Sequence, residues 1–545
     1  MKIRKKLLVG IAVCAMMFAA KAENAEEAVG EEIAEKPAVT VDIEKEKAGF
    51  TDADWDNLLN AAKLHRDLSD AKDQLEIGKR LFEDGSSKAE ERHKEAVEWF
   101  QKSADQGNTA ALYMLGHCYH LGRGVGHDDA LAYNYWRQAA DDEGNEYYSD
   151  AVYWVGKCLI DGIGVAKDEE SGVEWLREAA DNGLWKAQYE LAFAYLTGKG
   201  LGGQNIELGL QYLEKAAEKG DGRAEWVLGA LLCNKEIGHN RSAEGIKWIM
   251  KAAGNDCVEA QAFLGNAYLF GENGVDLDYE LAFHWLKKAA EQGNGFSALN
   301  LGIMLLNGKG CEKNEESGFK FIKQAFDQDI EEAYGPIGRC YFHGVGVAKD
   351  RKKAMDIFAK GALDNNDAEC QFLLSLCYGS RNGKNRDSDL EFFWVKCAAD
   401  QGHASAINNL GDCYEKGRGV ERDYAMALKY YLKAKELDAA IAWCSLGECY
   451  EKGLGVEKDG KKAIEMYEEA IRRDCSEAYM PMGRCYENGT GVEKNLEKAV
   501  EMYRKGAEEG NPDSCLELAR CLEEGIGVEK NPEEAKKWRE KANEW

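Results

Sequence analysis

His117, His120 and His127 fall within eleven residues of one another, and Cys118 lies beside the first. Imidazole and thiolate are zinc ligands, and two residues three apart share a helix face, so a metal site is conceivable there. Two observations oppose it. Cys118 occupies a position that recurs along the chain, and His127 falls in a turn. The reading preferred on the sequence is two surface histidines brought together by chance, with no metal and no cofactor.

Cysteine is the more systematic feature. Eight of the 17 cysteines, Cys118, Cys158, Cys340, Cys377, Cys413, Cys449, Cys485 and Cys521, stand seven residues after the start of a recurring unit. Packed helices lie ~8–10 Å apart, whereas a disulfide needs Cα atoms within ~7 Å. These residues are therefore expected as buried thiols filling small gaps. No C-x-x-C occurs, which argues against zinc-ribbon and thioredoxin-type chemistry. Catalytic patterns are missing too. The carboxylates form no isolated acid–base pair, and neither G-x-S-x-G nor H-E-x-x-H is present. G-x-G follows a helix here, so it is a turn and not a phosphate cradle. The chain is read as non-enzymatic, with no catalytic residue to nominate.

The elements that carry these positions come from a repeat. LGHCYHLGRGV at 115–125 returns as VGKCLIDGIGV at 155–165, LGDCYEKGRGV at 410–420, LGECYEKGLGV at 446–456 and LARCLEEGIGV at 518–528, with weaker copies at Ile77, Leu228 and Leu374. Starting each unit four residues before that Leu gives starts at 73, 111, 151, 187, 224, 260, 297, 333, 370, 406, 442, 478 and 514. The spacing is 36 or 37, apart from 38 and 40 at the beginning.

Within a unit, Ala at the start, Leu four later and Tyr eight later share one helix face. Gly beside the Leu lets a second helix approach, and G-x-G ends helix A because glycine takes the left-handed conformation cheaply. Asp or Asn a few residues on can cap helix B. Asn511-Pro512 and Asn531-Pro532 each read as a cap followed by Pro at the first helical position. No strand alternation appears, so the fold class is all-α.

Composition agrees. The chain has 58 Gly and 5 Pro in 545 residues, against usual levels of ~7% and ~5%. That imbalance fits regular turns in a helical chain and not flexible linkers. A net charge of −28 excludes a generally basic nucleic-acid binder.

The pattern A-x-x-x-L-G-x-x-Y-x-x-G-x-G-V…A-x-x-W/Y…A-A resembles the Sel1-like repeat family, a relative of the tetratricopeptide repeats. The resemblance implies a right-handed α-solenoid of about thirteen helix-turn-helix repeats over 73–545, each unit stacking on the next. It also implies that helix A lines a concave groove, with positions two, six, nine and ten facing solvent. Position two then supplies Tyr113, Tyr153, Tyr189 and Trp226, and position six supplies His117 and Phe193. Tyr113, His117, Tyr153, Tyr189, Phe193 and Trp226 are the candidate partner-binding residues. Position nine turns from Ile160, Leu196, Leu269 and Leu306 to Glu415, Glu451, Glu487 and Glu523, an acidic end read as ordinary solvation. A cysteine-rich subgroup of the family bridges its units. Here Cys397 fits the first slot but Ala406 occupies the second, which leaves Cys444 and Cys475, near the open ends of one hairpin, as the residual pair.

Residues 1–22 read as a cleaved signal peptide: Lys2, Arg4, Lys5 and Lys6, an apolar stretch from Leu7 to Ala20, then Ala20-Lys21-Ala22. Removing its five basic residues and no acidic one takes the charge from −28 to −33. Residues 23–50 read as an acidic disordered segment, and 51–72 as a capping helix with Trp55, Leu58, Leu59, Ala62 and Leu68 inward. The expected function is an exported scaffold, periplasmic or secreted. It would bind protein or peptide partners in envelope complex assembly, with a glycan or peptidoglycan fragment as the alternative ligand. No nucleic-acid partner and no membrane span are expected.

Overall fold

The computed structural model describes residues 69–83, 88–234, 237, 241–379 and 387–544. The signal peptide, the acidic segment and most of the capping helix lie outside them. So do most of the connections between helices A and B in the units starting at 224 and 370, which lack G-x-G-V. The described residues form an all-α repeat solenoid of 26 α-helices, arranged as thirteen consecutive antiparallel hairpins, with no strand. The first helix runs from Ala71 to Phe82 with Asp70 as its cap, so the boundary drawn at 72 falls inside that helix.

Two compact units divide the chain, Met1–Gln292 and Gly293–Trp545. The first contains the hairpins starting at 73 through 260, and the second those starting at 297 through 514. Inside each unit the same local chemistry recurs. Helix A of hairpin 111 spans Thr109–Leu121 and ends on Gly122 at φ 65°. Asp128 then accepts a hydrogen bond from the Leu131 amide and starts helix B, Asp129–Ala139. Asp168, Asn314, Asp459 and Asn495 repeat that cap, and Asn511 does the same for Pro512–Glu524 with Pro at its first position. Many helices B close on a left-handed glycine, such as Gly183 and Gly510. Asp256, Asp329, Asn366, Asp438 and Asp474 take the same conformation elsewhere; Asn and Asp tolerate it best among side-chain-bearing residues.

The Gly beside the repeat Leu is there for contact. A Cβ on Gly116 would stand 2.4 Å from the Trp136 indole nitrogen, and one on Gly447 would stand 2.5 Å from the Tyr467 ring. The second glycine of G-x-G has a role beyond ending a helix. A Cβ on Gly164 would lie 2.0 Å from the Asp129 carbonyl, and one on Gly491 would lie 2.0 Å from the Gly460 carbonyl. Those carbonyls belong to the first turn of helix B in the preceding hairpin, so this glycine is where successive hairpins meet. Hairpins 224 and 370 keep both helices but end helix A differently: Asn234 is extended and Gly379 is right-handed.

Candidate partner-binding surface

The six candidate residues are not equally available. Tyr113, His117 and Tyr153 are buried, at 6%, 3% and 8% exposure, whereas Tyr189, Phe193 and Trp226 are half-buried. The expectation that all six face solvent is corrected for the first three. The cause is local. The connection before unit 151 is longer than elsewhere, and its Tyr147 stacks on Tyr113 at 4.7 Å with rings 9° apart. The Lys79 ammonium lies 4.7 Å from the Tyr147 ring and bonds Glu146 at 2.8 Å.

His117 is enclosed by rings: Tyr113 at 4.6 Å, Trp136 at 5.3 Å and Trp154 at 5.3 Å. Neither of its ring nitrogens has a hydrogen-bond partner. Burial first, and then the positive groups His120, Lys186 and Arg123, push its pKa down to about 3. The reading of a surface histidine pair is therefore corrected. His120 is held by Asp129, Nδ1 to Oδ1 at 2.7 Å, and His127 reaches the other oxygen of the same carboxylate at 3.2 Å. Among the described residues no group of three or more His, Cys, Asp or Glu could hold a metal ion.

Position nine does not face a groove either. A Cβ on Gly172 would meet Ile160, one on Gly209 would meet Leu196, and one on Gly318 would meet Leu306, each at 2.6 Å. These aliphatic side chains pack against a glycine of their own helix B. In the later hairpins the glutamates at position nine accept hydrogen bonds from core tyrosines: Tyr431 to Glu415 at 2.9 Å, Tyr467 to Glu451 at 2.8 Å and Tyr503 to Glu487 at 2.9 Å. Arg484 and Arg520, from the next hairpins, donate to Glu451 and Glu487. The acidic end, read as solvation, is at these positions an internal hydrogen-bond ladder. Its signal was in the sequence, as Glu at position nine paired with Tyr sixteen residues on.

Of the six candidates, Tyr189, Phe193 and Trp226 remain partly exposed, packed at the edge of a core cluster. Tyr189 and Phe193 lie 4.9 Å apart, and Trp226 meets Phe263 edge-on at 5.6 Å. The Arg223 guanidinium sits 5.9 Å from the Tyr189 ring and 5.8 Å from that of Trp185. Beyond them Phe270 is 55% exposed. Aromatic and arginine side chains of this kind anchor protein partners. Among the described residues no helix is long and apolar enough to cross a membrane.

A helical-hairpin array of this kind defines a repeat protein. The Sel1 repeat matches twelve segments from 71–108 to 512–544, the longest stretch left out in that span being 222–257, and the chain belongs to the Sel1 repeat family. The omitted segment is the hairpin Gly222–Cys233 and Ser242–Gly254, complete in its helices but lacking G-x-G-V. Family members are generally non-catalytic scaffolds. The chain is 27% identical over 184 residues to the chitin synthase regulator SKT5 of Malassezia restricta, covering 32% of this chain and 13% of that protein. It is 30% identical over 184 residues to chitin synthase regulatory factor 3 of Schizosaccharomyces pombe, covering 32% of this chain and 20% of the relative. It therefore spans a fifth or less of either relative's length. A solved protective antigen of uropathogenic Escherichia coli displaying an SLR fold is 27% identical, with 82% of this chain and 86% of that one covered and a TM-score of 0.43.

Proposed function

We propose that the chain is an exported, non-enzymatic adaptor that holds a protein or peptide partner against helices A of hairpins 187 and 224, within envelope complex assembly. The observation that carries the binding role is the half-buried strip Tyr189, Phe193 and Trp226 with Arg223 beside it. Large rings held in place by their own hairpins lose little side-chain freedom on binding, which favours them as anchors. The relatives named as regulators of chitin synthase support a role exerted on another protein. Export is supported by the basic and apolar residues at 2–20 and by the Ala20-Lys21-Ala22 site.

The test places a photo-cross-linking amino acid at Phe193 and identifies what is captured in cells. A discrete protein product that disappears in Tyr189→Ala/Trp226→Ala supports the adaptor. Saturable binding of peptidoglycan fragments that the same two changes abolish, with no protein product, would replace it with the glycan reading. Mass spectrometry of the mature N-terminus checks export, with Glu23 as the expected first residue.

A further inference from the structure

In hairpin 111, position two of helix A meets the connection that leads into the next hairpin, where Tyr113 stacks on Tyr147. In hairpin 442 the corresponding place holds two thiols. Cys444 stands at position two of helix A, Ala440–Lys452, and Cys475 precedes the short 3-10 turn Ser476–Ala478 that opens the next hairpin. Both are buried at 5% exposure in one apolar cluster with Tyr467, Ala470, Ala478 and Met482. The Cys475 side chain is the foremost influence on the Cys444 thiol and raises its pKa. Cys475 also donates to Glu477 at 3.4 Å.

Cys257 occupies the same connection position 218 residues earlier, but the residue opposite, at position two of hairpin 224, is Trp226. Cys257 instead donates to Glu259 at 3.3 Å. The thiols at position seven lie on helices A of different hairpins. At 444 and 475 both facing positions are cysteine, within one buried cluster.

We propose that Cys444 and Cys475 are a dithiol that converts reversibly to a disulfide, stapling hairpin 442 to hairpin 478. The oxidant class is a small-molecule disulfide such as oxidised glutathione. One cysteine thiolate attacks it, releasing one glutathione thiolate and leaving a mixed disulfide on the protein. The second cysteine thiolate then displaces the other glutathione, and the two protons lost by the protein end on the two glutathiones released. The Cys475 side chain and burial, with the Glu448 and Glu477 carboxylates adding to them, hold Cys444 in its protonated form. Exchange is accordingly slow at neutral pH and faster as pH rises.

The experiment incubates the full chain, folded by circular dichroism, with a graded excess of oxidised glutathione. Remaining thiols are then alkylated in denaturant and the peptides mapped. The expected result is loss of two thiols per chain, a cross-linked peptide pair containing 444 and 475, and full recovery with dithiothreitol. Oxidation should raise the thermal midpoint by a few degrees, because the bridge constrains the unfolded chain. Cys257→Ser should leave all of this unchanged, while Cys444→Ser and Cys475→Ser should each abolish the midpoint rise and the cross-linked pair. A folded wild-type chain in which every thiol still titrates, or one whose bridge joins other cysteines, would overturn the proposal. The wild-type mapping decides this even if a serine variant fails to fold.

Discussion

His117 shows how much a single side chain in this chain depends on its surroundings. Buried among Tyr113, Trp136 and Trp154 with both nitrogens unpartnered, it stays neutral in the folded state down to a pH of about 3. In the unfolded chain it protonates near ~6.5. Because the folded pKa is depressed, the unfolded chain holds the extra proton between those values. Stability is thus intact above ~6.5 and falls with decreasing pH by up to about 1.4 kcal/mol per unit. His117→Leu should lower the pH sensitivity of the thermal midpoint between pH 7 and pH 5. An unchanged profile would mean that the ring is solvated. The glutamate ladder gives a second residue-scale test. Glu451→Leu leaves the Tyr467 hydroxyl and Arg484 without their acceptor and should cost about 1–3 kcal/mol. Adding Tyr467→Phe should recover most of that, since earlier hairpins pair aliphatic residues there, as with Ile160 beside Gly172 and Leu306 beside Gly318. Denaturant titration of the single and double variants measures it. The pairing of Glu451 with Tyr467 was readable in the repeat once both positions were compared. The burial of His117 was not, because it depends on Trp136 and Trp154, which come from a second helix and from the next hairpin.

At the scale of the element, the hairpin was the most legible part of the molecule. Gly122, Asp128 and Leu115 announce a helix end, a helix start and a buried face through local backbone and burial rules, and the structure places each accordingly. What a side chain faces was harder, because a position nine residues into helix A is directed by the residue across the hairpin. Gly447 tests how tightly the two helices close. Its α-carbon faces the Tyr467 ring so nearly that an added methyl would stand 2.5 Å from it. Gly447→Ala should therefore destabilise by about 1–3 kcal/mol, the usual effect of overpacking, despite alanine's better helix propensity. Gly447→Ala/Tyr467→Leu should restore the midpoint to near that of Tyr467→Leu alone. Additive losses in thermal melts would show that the clash is relieved elsewhere.

For the whole molecule, the consequence of a repeat is that each hairpin's stability depends on its immediate neighbours as well as on its own two helices. The second glycine of G-x-G is the point of leverage, because a Cβ at Gly491 would enter the first turn of the preceding helix B at the Gly460 carbonyl. The left-handed φ of 73° at Gly491 adds backbone strain to any substitution. Gly491→Ala should thus weaken the junction between hairpins 442 and 478 and leave the interior of each hairpin intact. Hydrogen exchange on the full chain distinguishes this from general destabilisation. Amides of Ala440–Lys452, Gly460–Arg472, Tyr479–Asn488 and Leu496–Glu508 should lose protection. Those of Thr109–Leu121 and Tyr148–Asp161 should exchange as in the unaltered chain. If protection fell equally in all of them, the array would unfold as one cooperative body and a sum of neighbour terms would no longer describe it. If the loss is local, the Tyr189–Trp226 strip can be altered for binding studies without disturbing the later hairpins. A partner docked there would then stabilise hairpins 187 and 224 first.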